Sequence, residues 1–145
     1  MPDDPLVERS SEVFGLLARF VHRSDQEATS DLRRHGLTPA QFQLLRAVSR
    51  RPGALQREFG EHFAVTGANV SMLIDKLERA GLLRREPVGA ANRVWTTEAG
   101  TELLARLEPE LEAFFRTRFA GLAPAELEQL GALMSSALEG LPGAR

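Results

Sequence analysis

Small and polar side chains gather between residues 66 and 72, and arginines surround them. Thr66, Gly67, Ala68, Asn69, Ser71 and Met72 open a segment in which Val70, Leu73, Ile74 and Leu77 recur at i, i+3, i+4 and i+7. A helix there is apolar behind and small or polar in front. That suits a helix that enters the DNA major groove with its N-terminal residues near base edges. Thr66 is the expected cap, at a helix end whose free N–H groups attract phosphate. Gln56, Arg57, Lys76, Arg84, Arg85 and Arg93 stand around this segment as candidate contacts. Other chemistries lack their residues. The chain has no cysteine, which excludes disulfides and thiolate zinc sites. His22, His35 and His62 show no metal-ligand spacing, no serine sits in a strand-to-helix elbow, and no glycine-rich phosphate loop exists. No catalytic residue, metal or cofactor is therefore expected.

The distribution of charge agrees. The formal net charge is −2, but residues 33–97 hold eleven basic and five acidic side chains, a net of +6. The remaining residues hold seven basic and fifteen acidic ones, a net of −8. A basic centre between acidic flanks points to one lobe facing a polyanion and another with a different task. With 145 residues, 43% of them hydrophobic and 26% charged, the chain has the composition of one globular domain, which excludes disorder and a fibre. No apolar run is long enough to span a membrane, and the start, Met1-Pro2-Asp3-Asp4-Pro5, is acidic where a secretory signal is basic. A cytoplasmic protein with no membrane partner is expected.

The elements that would carry these residues are mainly helical. Val13, Phe14, Leu17, Phe20 and Val21 form one stripe of a first helix, from about Ser10 to Arg34. Thr38-Pro39-Ala40-Gln41 predicts a capped start for a second, with Phe42, Leu45 and Val48 facing the core. Leu55 to Phe63 predicts a third and Thr66 to Gly81 a fourth, so the pair forms a helix-turn-helix. Leu82–Glu86 and Arg93–Thr96 read as two strands joined by residues 87–92. Thr97 opens a fifth helix, interrupted and kinked at Pro109, and Pro124 opens a sixth. Ala123 offers the sixth no side-chain cap. The fold class is mainly α with a small β-wing: six helices and one hairpin.

The order helix-turn-helix, Gly81, two basic strands is that of a winged helix. Here the chain resembles the MarR family of bacterial transcriptional regulators, over about residues 10–141. The residues that carry the resemblance are Leu37-Thr38-Pro39-Ala40-Gln41-Phe42, the run from Val70 to Arg85, and Ala91-Asn92-Arg93-Val94-Trp95-Thr96-Thr97-Glu98-Ala99-Gly100. It implies one domain over residues 1–145. Residues 36–97 would be a winged helix-turn-helix lobe, and residues 6–35 and 98–142 a dimerisation lobe. It further implies a homodimer that reads a pseudo-palindromic operator in double-stranded DNA, a repressor relieved by a small aromatic or anionic effector. The effector would lie near Phe14, Arg19, His22, Phe42 and Arg46. Two positions depart from the family pattern. Val88-Gly89-Ala90 replaces the Asp-Arg-Arg common at the wing tip, and Met72 stands where an arginine is frequent. These departures favour an alternative, a winged-helix interaction module that has lost operator binding.

Overall fold

Thr38 and Gln41 form the capping box their spacing predicts. Thr38 Oγ1 accepts from the Gln41 backbone N–H at 3.2 Å, and Gln41 Oε1 accepts from the Thr38 N–H at 2.9 Å. The computed structural model describes residues 4–63 and 69–143, with residues 61–63 described by backbone alone. The elements are α1 (Pro5–Arg33), α2 (Pro39–Arg50), α3 (Gln56–Phe63), α4 (Val70–Arg79), β1 (Leu83–Val88), β2 (Ala91–Thr96), α5 (Glu98–Arg118) and α6 (Pro124–Glu139).

Several boundaries differ from the sequence reading. The first helix starts earlier, because Asp4 accepts from the Leu6 N–H and Pro5 supplies a φ suited to the first turn. The hairpin is longer and its turn tighter than expected. Pro87 pairs with Asn92 and Val88 with Ala91, leaving only Gly89 and Ala90 between the strands. Gly89, at φ +60°, gives the left-handed backbone that a two-residue hairpin turn needs. The fifth helix runs unbroken through Pro109. Thr97 caps it, accepting from the Gly100 N–H at 3.1 Å. Ala123 indeed offers no side-chain cap, but Glu126 reaches back to accept from the Ala123 N–H at 2.7 Å.

The core lies under the winged segment. Phe42, Leu44, Leu45 and Val48 of α2 meet Phe59 of α3, Val70, Ile74 and Leu77 of α4, Leu83 and Val94 of the hairpin, and Leu103 of α5. The burial of these side chains at helical and alternating spacing is the main stabilising term. By contrast, α1 and α6 contain no buried residue. The chain divides into two units, Met1–Leu107 and Glu108–Arg145, with the boundary inside α5.

The loop between α2 and α3 lies against the hairpin and pairs with β2 through an isolated bridge, Leu55 to Arg93. The Gly53 N–H donates to the Val94 carbonyl at 2.9 Å, and the Val94 N–H donates to the Ala54 carbonyl at 3.0 Å. The Trp95 ring covers Gly53 closely enough that a Cβ there would meet it at 2.7 Å. Gly53 also has φ +77°, so two separate constraints demand glycine. Gly36 has a similar φ of +74° but open space around it. Gly36→Ala is therefore expected to cost only the backbone term, on the order of 1–3 kcal/mol. Gly53→Ala is expected to cost more, because the Trp95 ring must move as well. Urea unfolding of the two variants checks this, and equal losses would show that the ring–glycine contact does not constrain the fold.

Candidate nucleic-acid interface

The fourth helix begins at Val70, later than expected, and its cap is Asn69. Asn69 Oδ1 accepts from the Met72 N–H at 3.2 Å. The predicted cap, Thr66, lies outside the described residues, as do Gly67 and Ala68. A sequence signal for Asn69 existed, since it directly precedes the first apolar residue of the period. Whatever stands at 69 must keep a cap acceptor, which Ser or Asp supplies and Ala does not.

Three faces of α4 follow from about 100° of rotation per residue. Val70, Ile74 and Leu77 enter the core. Asp75 and Glu78, both half-buried, turn toward the wing. Met72, Lys76 and Arg79 are exposed on the remaining face, with Asn69 at its N-terminal end. Ser71 is exposed nearer the wing side. Met72 is 54% exposed, so its side chain is not part of the core.

Arg85 fixes the wing to this helix. Its guanidinium donates to Glu78 Oε1 at 3.0 Å and to Asp75 Oδ1, and its backbone N–H donates to Glu78 Oε2 at 3.1 Å. The side chain is only 25% exposed. The hydrogen bond from Arg85 holds the Glu78 carboxyl below its ordinary value of 4.5, against the opposing effect of burial. The same hydrogen bond raises the Arg85 pKa. Arg85 is thus engaged by two carboxylates, where the sequence suggested a phosphate contact.

The other predicted residues are scattered over distinct roles. Arg84 lies on the opposite face of β1, its guanidinium carbon 5.0 Å from the centre of the Trp95 ring and its nitrogen 3.5 Å from Glu86. Arg93 donates to the Gly53 carbonyl at 2.8 Å. Arg57 is exposed on α3, whereas Gln56 is half-buried with an enclosed Oε1. Of the residues expected around an effector, Phe14, Arg19 and His22 are exposed on α1, Phe42 is in the core and Arg46 is half-buried. A groove of about 480 Å³ lies elsewhere, between the α1–α2 turn, the end of α4 and the start of α5. His35, Leu37, Gln41, Lys76, Leu77, Glu102, Leu103 and Arg106 are among its lining residues. Among the described residues no cluster could hold a metal ion, and no helix is long and apolar enough to cross a membrane.

Comparison with known proteins places this geometry. The model for the MarR family matches residues 35–93. The chain is 30% identical over 134 residues to the HTH-type transcriptional regulator YkoM of Bacillus subtilis (strain 168), covering 90% of this chain and 87% of that one. Its fold is similar to Bordetella bronchiseptica BpsR, whose DNA binding is regulated by 6-hydroxynicotinic acid. The TM-score there is 0.77 at 25% identity, over 87% of this chain and 98% of that one. The fold is also similar to S. aureus MepR in its DNA complex, with a TM-score of 0.76 at 24% identity, over 90% and 97% of the two chains. By their names, YkoM is a transcriptional regulator, BpsR a protein that binds DNA and MepR a protein seen on DNA.

Acid is expected to weaken the Arg85 brace. A carboxyl whose folded pKa is lowered contributes fully above its ordinary value, here 4.5, and loses that contribution as the pH falls through the folded value. Near neutral pH, Glu78→Gln is expected to be less stable than the native protein by up to about 1 kcal/mol, the scale of a partly exposed pair. Thermal unfolding across the acid range should show the difference closing below pH 4.5. A difference independent of pH would contradict a charged brace.

Proposed function

The chain belongs to the MarR family of transcriptional regulators, and from that premise we propose that it is a homodimeric, sequence-specific DNA-binding repressor relieved by a small anionic or aromatic ligand. One observation carries the DNA reading. Two faces of α4 are anchored, to the core and to the wing, while the face bearing Met72, Lys76 and Arg79 is open. A helix held on two sides presents its third side rigidly, which is what base readout in the major groove requires. Asn69 and Ser71 are the proposed base readers, with Asn69 using the amide nitrogen left over from its cap. Arg57, Lys76 and Arg84 are the proposed phosphate contacts, which position without reading sequence. Thr66, Gly67 and Ala68 join the proposed surface by sequence position.

The dimer reading rests on apolar exposure. Phe14 on α1 is 74% exposed and Leu133 on α6 is 62% exposed, with Leu6, Val13, Leu16, Leu138 and Leu141 also open. Apolar exposure of this extent on each of the two helices calls for a cover, and a second copy supplies one. Ligand relief is supported by the groove beside Lys76. Lys76, Arg106, His35 and one carboxylate, Glu102, line it together with several leucines, a composition that suits a small anion with an apolar body. In the similar BpsR, 6-hydroxynicotinic acid regulates DNA binding.

Sedimentation velocity tests the core of this reading, using duplexes that the protein enriches from a random pool. Two chains are expected on one duplex, whose half-sites lie about one helical turn apart, roughly 34–36 Å. Leu138 is exposed in the single chain, so Leu138→Glu is expected to leave the chain folded but monomeric, at a cost to association of about 3–5 kcal/mol for an unpaired buried charge. A folded native protein that stays monomeric, or enriches no sequence, would overturn the proposal in favour of an interaction module.

A further inference from the structure

What holds the wing's solvent-facing arginine in place bears on the DNA reading above, and the inference rests on that reading. Arg84 and Trp95 are direct partners across the hairpin, so both side chains leave the same face of the sheet. The opposite face carries Leu83 and Val94 into the core and Arg85 toward α4. On the Arg84 face the layers stack in order. Gly53 lies beneath the indole, whose Cβ-less contact lets the ring settle against the loop backbone. The Arg84 guanidinium carbon lies 5.0 Å from the ring centre. Half of the Arg84 side chain stays open to solvent, at 54% exposure.

The platform under the ring is fixed. Gly53 is tied to β2 by its own N–H, to Val94, and by the Arg93 side chain, which donates to the Gly53 carbonyl at 2.8 Å. Trp95 is therefore clamped by backbone that leads directly into α3. We propose that Trp95 is a positioning residue for DNA binding, holding the Arg84 guanidinium on the outer face of the wing for a backbone phosphate. Stacking on an aromatic face restricts a flexible side chain without neutralising its charge. A phosphate then meets an arginine that has already lost much of its rotamer freedom, and binding is tighter for that reason. Glu86, 3.5 Å from Arg84, is the ion-pair partner that a phosphate would replace. Because the wing tip Val88-Gly89-Ala90 carries no cation, this preorganised arginine takes the role of the wing's contact.

The test is a thermodynamic cycle on a mixed-sequence duplex, since a phosphate contact is independent of sequence. Arg84→Ala and Trp95→Leu are each expected to lower affinity about 5- to 10-fold at low salt and to flatten the salt dependence by about one contact per chain. The double variant is expected to be no weaker than either single one. Trp95→Phe keeps an aromatic face beside the guanidinium while giving up the outer indole atoms that rest on Gly53 and an indole N–H with no described partner, so it is expected to stay within about 2-fold of native. Multiplicative losses in the double variant, or native affinity and salt slope in a folded Trp95→Leu, would overturn the proposal. Trp95 is the only tryptophan of the chain, which gives a second readout should Trp95→Leu fail to fold. Saturating duplex is expected to change its emission in the native protein and much less in Arg84→Ala. No change in the native protein would overturn the positioning role, whereas absence of any duplex binding would overturn the DNA reading itself.

Discussion

A Cβ on Gly53 would meet the Trp95 ring at 2.7 Å, and one on Gly100 would overlap the Leu82 carbonyl oxygen. These two close approaches set the shape of the winged lobe. The first lets the loop after α2 pair with β2, and the second lets the start of α5 lie against the residue that enters β1. Both are distances that only glycine allows. Once they are set, the hairpin has one permitted position relative to α3 and α5. The Arg85 brace then fixes α4 to the same hairpin. The residues proposed to touch DNA thus sit on elements whose mutual placement is decided by backbone contact, which is stiffer than packing of long side chains.

That frame also changes what the charge pattern means. The basic segment is not a uniform surface. Arg85 is engaged by Asp75 and Glu78, Arg51 by Glu58 and Arg34 by Asp31. Arg93 donates to the Gly53 carbonyl. The cations left facing outward around α4 are fewer: Lys76 and Arg79 on the helix and Arg57 on α3, with Arg84 on the wing sharing its charge with Glu86. A net count of +6 overstates the charge offered to a partner, because a guanidinium spent on carboxylates adds little to the field outside. The arginines nearest the hairpin act partly as mortar between elements.

The helical skeleton was legible because its signals are local and redundant. The Thr38–Gln41 box, the apolar period from Val70 to Leu77 and the Pro124 start each combine a cap or proline with a stripe. The sequence reading takes Thr66 alone as the cap, whereas Asn69, three residues on, is of an equally suitable type and caps α4. The hairpin extends into residues 87–92, which the sequence reading assigns to the loop, because Pro87 can pair there. Among the described strands β1 pairs only with β2, and an edge strand tolerates a proline without loss of a ladder bond. The part least visible was the site itself. Nothing in the spacing of Arg84 and Arg85 says that one stacks on Trp95 and the other is claimed by α4. The alternation of a strand separates neighbouring residues to opposite faces, but only the partners across the fold decide what each face meets.

The central claim is that α4 and the hairpin together form the surface that meets DNA. Amide hydrogen exchange, measured with and without a duplex enriched by the protein, tests it most directly. Slower exchange on binding is expected in Val70–Arg79 and in the hairpin strands Leu83–Val88 and Ala91–Thr96. Full occupancy of the duplex with protection confined to residues 108–143, and none in α4 or the hairpin, would contradict it.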